Sequence, residues 1–600
     1  MIDPYRMVFV NLVSSILLLS GILIYRYIYP KRKINLFILL ALISILPVIS
    51  IFRSGTYESG DFNIHIYRIM SFYDSLRERN LMPSWASELN ATYGNPLFIF
   101  NYNLPYYFIS FFHFLGLSFI TSMKIYLGLV FYLSGITMYF LVKEITNSKL
   151  GAFVSSIFYL FSPYHLIDVH FRATLGESTI FFLAPVLFYF IIKFIKEQRF
   201  KYFVICSLIM GLLFLAHPLL ATVFLGIGIL YILFRDLRNK SYKSTLLQLL
   251  ALLVGATASI YVWISFILYT PYMFKLSVST AVSDLQFYPF TQLIFSPWRY
   301  GLLFQGPKGE LALIMGYVQI FVIAMSIIMI ILKKIPKKIQ SDYIFWIFLC
   351  IFFIFMMHPL SIFIWKYTNY QFFNMVIPYG RLSLAISFCI SVITGYFTLS
   401  FSDSKIKKKF IYILLIITIG STILNWGHRR VIPQINDSVL RKNVWISTIT
   451  EGTTAYFLNN KWADINNFWF SALPEKHLEI INGLGTVQEI KRTSTKHTYI
   501  VNAQTPIEIQ ENTLYFPGWS LSVNSKNNLI YPGKRGVINA KLPAGLQKVE
   551  LSYNDIPVYR FTKIISVSTF SILLIAFVFS LFPNIKRLTV LSFKNFTSKP

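Results

Sequence analysis

Charge is scarce in this sequence. Only 13% of its 600 residues are Asp, Glu, Lys or Arg, against 55% hydrophobic and 18% aromatic. A chain of that length would ordinarily be several soluble domains, and so apolar a composition excludes them. Cysteine is rarer still. Cys206, Cys350 and Cys389 each fall inside an apolar run, without metal-site or disulfide spacing, and read as small buried side chains. A basic stretch before the first apolar run is also missing, with Asp3 and Arg6 in its place, so no cleavable signal peptide is expected. The little charge present leans one way, 54 Lys and Arg against 25 Asp and Glu, a formal +29. Such an excess can mean nucleic acid. Here the basic residues crowd into short loops between apolar runs, the positive-inside signature of a membrane protein, and no nucleic-acid partner is expected.

The apolar runs repeatedly reach the roughly 20 residues that cross a bilayer as helix. The basic loops lie at 29–33, 143–149, 193–201, 235–243, 333–338, 404–409 and 584–588. Placing all of them in the cytoplasm requires two crossings between each successive pair. Runs near 7–26, 34–52, 121–142, 150–167, 178–192, 202–216, 219–234, 245–268, 311–332, 342–358, 380–400, 410–426 and 563–583 supply about thirteen. The N-terminus is then outside and the C-terminus cytoplasmic, in a multi-pass protein whose Ile/Phe/Lys/Asn bias and lack of disulfides fit a prokaryotic plasma membrane. The segment "LPYYFISFFHFLGLSFI", 104–120, is short for a span and includes Pro105 and His113. As a span it would flip every later basic loop, so an interfacial or re-entrant helix is expected.

The expected fold is a polytopic α-helical membrane protein with a small extracytoplasmic β-domain near its C-terminus. A transmembrane domain covers 1–426, with a large outer loop at 53–120. Residues 427–562 are polar, punctuated by "NG", "PG" and "PAG", and alternate in "GVINAKL" and "KVELSY", as short β-strands do. Residues 563–600 make the final span and a cytoplasmic tail.

The outer loops hold a biased set of ionisable residues. "SGDFNIHIYRI", 59–69, places Asp61, His65 and Arg68 at offsets of four and three, on one face of a helix. "DVHFRATLGE" holds Asp168, His170, Arg172 and Glu177; His217-Pro218 makes a tight corner; Arg381 stands at the lip of a span. A carboxylate and several cations at an outer membrane surface suit glycosyl transfer from a polyprenyl-phosphate sugar. A base such as Asp61 would take the acceptor's proton, and guanidinium groups would receive the phosphate leaving group. Arg172 and Arg381 are the first candidates, with Arg68 behind them and His65, His170 and His217 as further contacts. Asp61, Asp168 and Glu177 could instead hold a divalent ion such as Mg or Mn, although no local spacing is diagnostic. Tyr102, Tyr106, Tyr107, Trp298, Trp365 and Tyr379 could stack on sugars, but aromatic belts at interfaces are the commoner use. Trp85 reads as an interfacial anchor and Trp519 as β-domain core.

These residues also carry a family likeness. "GDFNIHIYRIMSFYDSLRERNLMPSW", "YGNPLFIFNYNLPYYFIS", "SPYHLIDVHFRATLGESTIFFLAPVLF", "IPYGRLSLAIS" and "LYFPGWSLSVN…LPAGLQKVELSY" follow the order of motifs in the GT-C superfamily of membrane glycosyltransferases. The chain most resembles the YfhO-like, 6-pyruvoyl-tetrahydropterin synthase-related membrane proteins. The resemblance implies a GT-C-like fold with Asp61 as the catalytic or acceptor-facing acid, and Glu177 and Arg172 as the second-loop acid and its neighbouring base. Gly380, between Tyr379 and Arg381, departs from the pattern. The donor would be a polyprenyl-phosphate sugar and the acceptor a cell-envelope polymer, glycolipid or protein. The alternative is a transporter or flippase of lipid-linked saccharides, for which internal repeats and mid-span charges are expected. The sequence has neither.

Overall fold

The structure, a computed structural model, describes residues 5–32, 35–239, 242–273, 287–294, 314–367, 380–400, 405–427, 431–442, 461–462 and 473–582. Trp298 and Tyr379, two of the candidate sugar-stacking aromatics, lie outside them.

Among the described residues, seven helices are long and apolar enough to cross a membrane: Val8–Ile28, Phe119–Thr146, Leu175–Glu197, Pro218–Asp236, Lys337–Met357, Leu382–Ser400 and Pro557–Leu581. Two bent pairs raise the number to nine, Lys149–Leu160 with Pro163–Arg172 at 46° and Tyr242–Ala258 with Ile260–Tyr269 at 62°. The protein is therefore a multi-pass helical membrane protein. All thirteen apolar runs of the sequence coincide with helix among the described residues, but the remaining four are helices too short to pass the same test. The helix Leu104–Phe114 has only 11 residues, short of a crossing.

Burial separates the centre of the bundle from its edge. Leu382–Ser400 has 94% of its apolar window buried, against 17% for Val8–Ile28 and for Pro557–Leu581, which are left to face lipid. A buried helix must satisfy its own polar atoms. The hydroxyls of Ser387, Ser391, Thr394 and Thr398 each donate to the carbonyl four residues earlier, at 2.7–2.8 Å.

The β-strands of the C-terminal region run from Leu478 to Tyr553, and all described pairings are antiparallel. With strands numbered along the chain from the short β1 (Thr56–Tyr57) and β2 (Val431–Ile432), one sheet has β3 (Leu478–Asn482), β6 (Ile507–Leu514), β10 (Val537–Leu542) and β9 (Tyr531–Pro532) in the order β3-β6-β10-β9. The other runs β4 (Gly485–Arg492), β5 (Lys496–Ala503), β11 (Gly545–Tyr553), β7 (Trp519–Val523) and β8 (Lys526–Asn528). Period-two alternation explains this: Gln547, Val549, Leu551 and Tyr553 of β11 point inward while the residues between them are more exposed. Residues 431–442 join the membrane part instead. Val431–Ile432 pairs with Thr56–Tyr57, and Asp437 accepts the Phe119 N–H at 2.8 Å.

The β-region is fastened to the segment 78–93. Leu514 N–H donates to the Tyr93 carbonyl at 2.8 Å, and Ser494 N–H to Glu78 at 2.8 Å. Trp85 is buried here, its ring 5.4 Å from both Trp519 and Tyr553. It is a seam residue between the two parts, which corrects its reading as a membrane-interface anchor.

Candidate functional site

The loop ahead of the helix Phe62–Arg77 and the segment 168–174 meet through their main chains. Tyr57 hydroxyl donates to the Val169 carbonyl at 2.9 Å, Gly60 N–H to Phe171 at 2.8 Å, and Asp61 N–H to Arg172 at 2.8 Å. The helix Phe62–Arg77 starts directly after Asp61. Ser59 Oγ accepts the Phe62 N–H at 3.0 Å, so the Asp61 side chain is not used as the cap. Among the described residues, none hydrogen-bonds or ion-pairs the Asp61 carboxylate. Burial raises its carboxyl above the ordinary range, while Arg172, then Arg68, pull it down; Glu177 and Arg381 also act on it. The site is thus an uncommitted acid among three guanidinium groups and a second acid.

Behind Asp61 lies a closed charge network. Arg172 ends a short π-helix, Asp168–Arg172, after which Ala173 turns left-handed and Leu175–Glu197 begins. Arg172 Nη1 donates to Asp168 Oδ1 at 2.8 Å, Glu177 Oε2 at 3.1 Å and the Tyr164 hydroxyl at 3.0 Å, and Nη2 donates to Glu177 Oε1 at 2.7 Å. Tyr164 donates in turn to Glu177 Oε2 at 2.6 Å. Arg381 Nε reaches Glu177 Oε1 at 3.1 Å from a helix 204 residues on. Gly380, at φ 61°, makes the left-handed turn that aims it there. Glu177 therefore joins two cations, and Arg172 is spent on two carboxylates and a phenol.

The histidines are also committed. His65 Nδ1 meets the Tyr106 hydroxyl at 2.9 Å and Nε2 meets that of Tyr102 at 3.2 Å, while Asn101 donates to Tyr106 at 2.8 Å. Burial first, then Arg68, holds the His65 imidazole well below its ordinary range, so it is neutral. It orients two tyrosines and is no cation for a phosphate. His170 Nε2 bonds the Pro47 carbonyl at 2.8 Å and ties the second outer loop to an earlier helix, Leu36–Val48. His217 accepts the Leu220 N–H at 3.3 Å, and its ring stacks on Tyr102 at 5.5 Å. His170, offered by the sequence as a phosphate contact, is turned to structure, whereas His217 lies close enough to Arg381, Glu177 and Arg172 to feel their charge and belongs to the site. Of the other aromatics, Trp365 Nε1 donates to the Met356 carbonyl at 3.2 Å.

The metal alternative does not fit this donor set. Arg172 occupies the space between Asp168 and Glu177, and no group of three or more metal-capable side chains occurs among the described residues. Tyr164 and Asn101 enter the site unannounced by charge, their one signal being closeness in sequence to Asp168 and to the segment 104–120. Tyr102, offered as a sugar-stacking ring, enters it as a hydrogen-bond partner of His65.

A buried cluster of acids and arginines on a multi-pass helical bundle defines the class of this protein, a polytopic membrane protein with a polar site where its loops meet. The chain belongs to the family described as "6-pyruvoyl-tetrahydropterin synthase related domain; membrane protein", which it matches over residues 100–428, more than half its length. That segment contains Tyr164, Arg172, Glu177, His217 and Arg381; Asp61, His65 and Arg68 precede it. A further similarity is to an "Uncharacterized protein" of Lactococcus lactis subsp. cremoris (strain MG1363), 24% identical over 222 residues. The match spans 36% of this chain and 36% of that relative.

Proposed function

We propose that the protein is a GT-C-type membrane glycosyltransferase that moves a sugar from a polyprenyl-phosphate donor to an acceptor outside the cytoplasm. The observation that carries this is the Asp61 carboxylate, uncommitted and set among Arg172, Arg68 and Arg381. An acid raised by burial is a better base than a solvated one. Asp61 takes the proton of the acceptor hydroxyl, the freed oxygen bonds to the anomeric carbon, and the bond from that carbon to the phosphate oxygen breaks. The electron pair leaves with the polyprenyl phosphate. Arg68 and Arg381 receive the phosphate in this scheme. Arg172, held by Asp168, Glu177 and Tyr164, keeps Glu177 and through it Arg381 in place. The donor's tail stays in the bilayer, which is why the site belongs on a membrane bundle. The β-domain, fastened beside the first outer loop, presents the cell-envelope acceptor.

Transport of a lipid-linked saccharide is the rival reading, and it would call for ionisable groups spread through the spans. The deciding experiment gives purified wild type and Asp61→Asn a panel of radiolabelled polyprenyl-phosphate sugars with an envelope acceptor fraction. Release of polyprenyl phosphate by wild type alone is expected. Movement of intact lipid-linked sugar by both proteins, without release, would favour the transporter.

A further inference from the structure

The hydrogen-bond directions around His65 are set by what its neighbours are able to give. Three groups meet the Tyr106 hydroxyl: Asn101 Nδ2 donates to it at 2.8 Å, Arg68 also donates, and His65 Nδ1 lies at 2.9 Å. A guanidinium has no acceptor, and a hydroxyl oxygen has two lone pairs and one hydrogen. With Asn101 and Arg68 on the lone pairs, that hydrogen goes to His65 Nδ1. A neutral imidazole that accepts at Nδ1 carries its own hydrogen at Nε2. His65 is neutral, since burial first and Arg68 next lower it. Its Nε2–H therefore donates to the Tyr102 hydroxyl at 3.2 Å.

Tyr102 is thereby left with an unspent hydrogen. Among the described residues no other group hydrogen-bonds its hydroxyl. The ring is clamped: it stacks on His217 at 5.5 Å, and a Cβ added at Gly176 would come within 2.9 Å of Tyr102 Cζ. It is half-buried and not sealed, so a substrate can reach it. After burial and Tyr106, the charge of Asp61 raises the phenol further, and it keeps its proton. Asp61 and His65 stand one helical turn apart, with the His65 N–H bonded to the Asp61 carbonyl at 2.9 Å, so acid and phenol serve the same side of the helix. One is a donor without an acceptor; the other is an acceptor without a donor.

We propose that Tyr102 positions the acceptor substrate by donating its hydroxyl hydrogen to the oxygen of an alcohol whose own hydrogen goes to Asp61. This rests on the transferase reading and narrows it to one acceptor class. An alcohol accepts and donates at a single atom, whereas an amide nitrogen only donates. The acceptor atom is therefore a hydroxyl oxygen and not the nitrogen of an amide side chain. Tyr102 keeps its own proton during transfer, Asp61 takes that of the alcohol, and the oxygen's remaining lone pair bonds to the anomeric carbon.

One measurement needs no turnover. Nitrogen-15 NMR of the full chain with labelled histidine, His65 being assigned by its loss in His65→Gln, should show Nδ1 bare and Nε2 protonated. A proton on Nδ1 overturns the proposal. A second measurement follows transfer while the envelope acceptor fraction is varied. Tyr102→Phe keeps the ring on His217 and should raise the acceptor KM roughly three- to tenfold, the worth of one neutral hydrogen bond. The donor KM should not move, whereas a general disturbance of the site would raise both. Mass spectrometry of the product should find the new sugar on oxygen. An unchanged acceptor KM, equal rises in both KM values, or a sugar on nitrogen overturns the role of Tyr102, while release of polyprenyl phosphate by wild type leaves the transferase reading standing. No release by wild type with any donor ends that reading and the role of Tyr102 with it.

Discussion

Asp61 and Arg172 are joined by main chain rather than by a salt bridge: the Asp61 N–H donates to the Arg172 carbonyl at 2.8 Å. Their side chains are left to different tasks. The guanidinium of Arg172 turns to Asp168 and Glu177, and the carboxylate of Asp61 stays uncommitted.

Removal of the Asp61 charge should therefore cost function and leave the fold intact. Asp61→Asn keeps the backbone bond and breaks no side-chain contact, so stability should stay within about 0.5 kcal/mol of wild type. Transfer should fall by roughly 10²–10⁴, the usual worth of a general base. Thermal unfolding and donor turnover, measured on the same sample, check both halves. A drop in both would mean that Asp61 is structural.

The pH dependence of transfer should report the arginines. Burial raises Asp61 and Arg68 lowers it, so loss of Arg68 raises it further. The base must be ionised, and activity falls as pH drops through its pKa. Arg68→Met should therefore move the acid limb of the pH–rate profile to higher pH. A limb that stays in place would remove Asp61 from the role of titrating base.

Tyr164 should act through Glu177. Its hydroxyl donates to Glu177 at 2.6 Å and accepts from Arg172 at 3.0 Å. Tyr164→Phe removes both bonds; the one to Glu177 is worth about 1.5–3 kcal/mol, and the loss at Arg172 is offset because its guanidinium keeps Asp168 and Glu177. Glu177→Gln strips two guanidinium groups of a buried partner and should cost more, about 3–5 kcal/mol. Unfolding temperatures in detergent rank the two, and the reverse order would show the network to be less coupled than its geometry implies.

How far this site was legible before the structure depends on the residue. Asp61, Arg172, Glu177 and Arg381 announce themselves because charge is rare here and all four fall at outer ends of apolar runs. That Arg381 touches Glu177 was not legible, because the contact joins positions 204 residues apart and rests on the left-handed turn at Gly380. Tyr164 hides inside an apolar run, where a tyrosine is unremarked. His65 and His170 misled for a physical reason: a histidine beside charges looks like a ligand, and only the partner oxygens show that its nitrogens are taken. The β-strands were visible as period-two alternation. Their start at Leu478, and Trp85 as the seam beneath them, depend on packing that no local pattern encodes.

Gly380 gives a compact check on that long-range contact. At φ 61° a side chain costs about 1 kcal/mol or more, and relief of the strain would swing Arg381 away from Glu177. Gly380→Ala should reduce transfer more than it reduces stability. Gly380→Asn, which tolerates the left-handed region, should recover much of the loss. Equal damage from both substitutions would locate the effect in packing instead.

The seam between β-domain and outer loop should be sensitive to acid. Glu511 is 1% exposed and takes bonds from Arg492 at 2.6 Å, His497 at 2.8 Å and Tyr499 at 3.0 Å. Burial pushes its carboxyl up, but His497 and Arg492 override that and hold it well below the ordinary range. A carboxyl lowered by folding contributes stability that is complete above its unfolded value, near about 4.3, and is lost as pH falls from there towards the folded value. Arg492 also donates to the Thr92 carbonyl at 3.3 Å, beside Asn90, Ala91 and Thr92, three successive residues with left-handed backbone. Such a turn is strained and persists because its surroundings hold it. The protection factor for hydrogen exchange at the Leu514 amide, which donates to Tyr93, should therefore fall in wild type as pH drops below about 4.3. In Glu511→Gln it should be low throughout and nearly independent of pH. A flat profile in wild type would mean that the turn is held by the Trp85 and Trp519 packing alone.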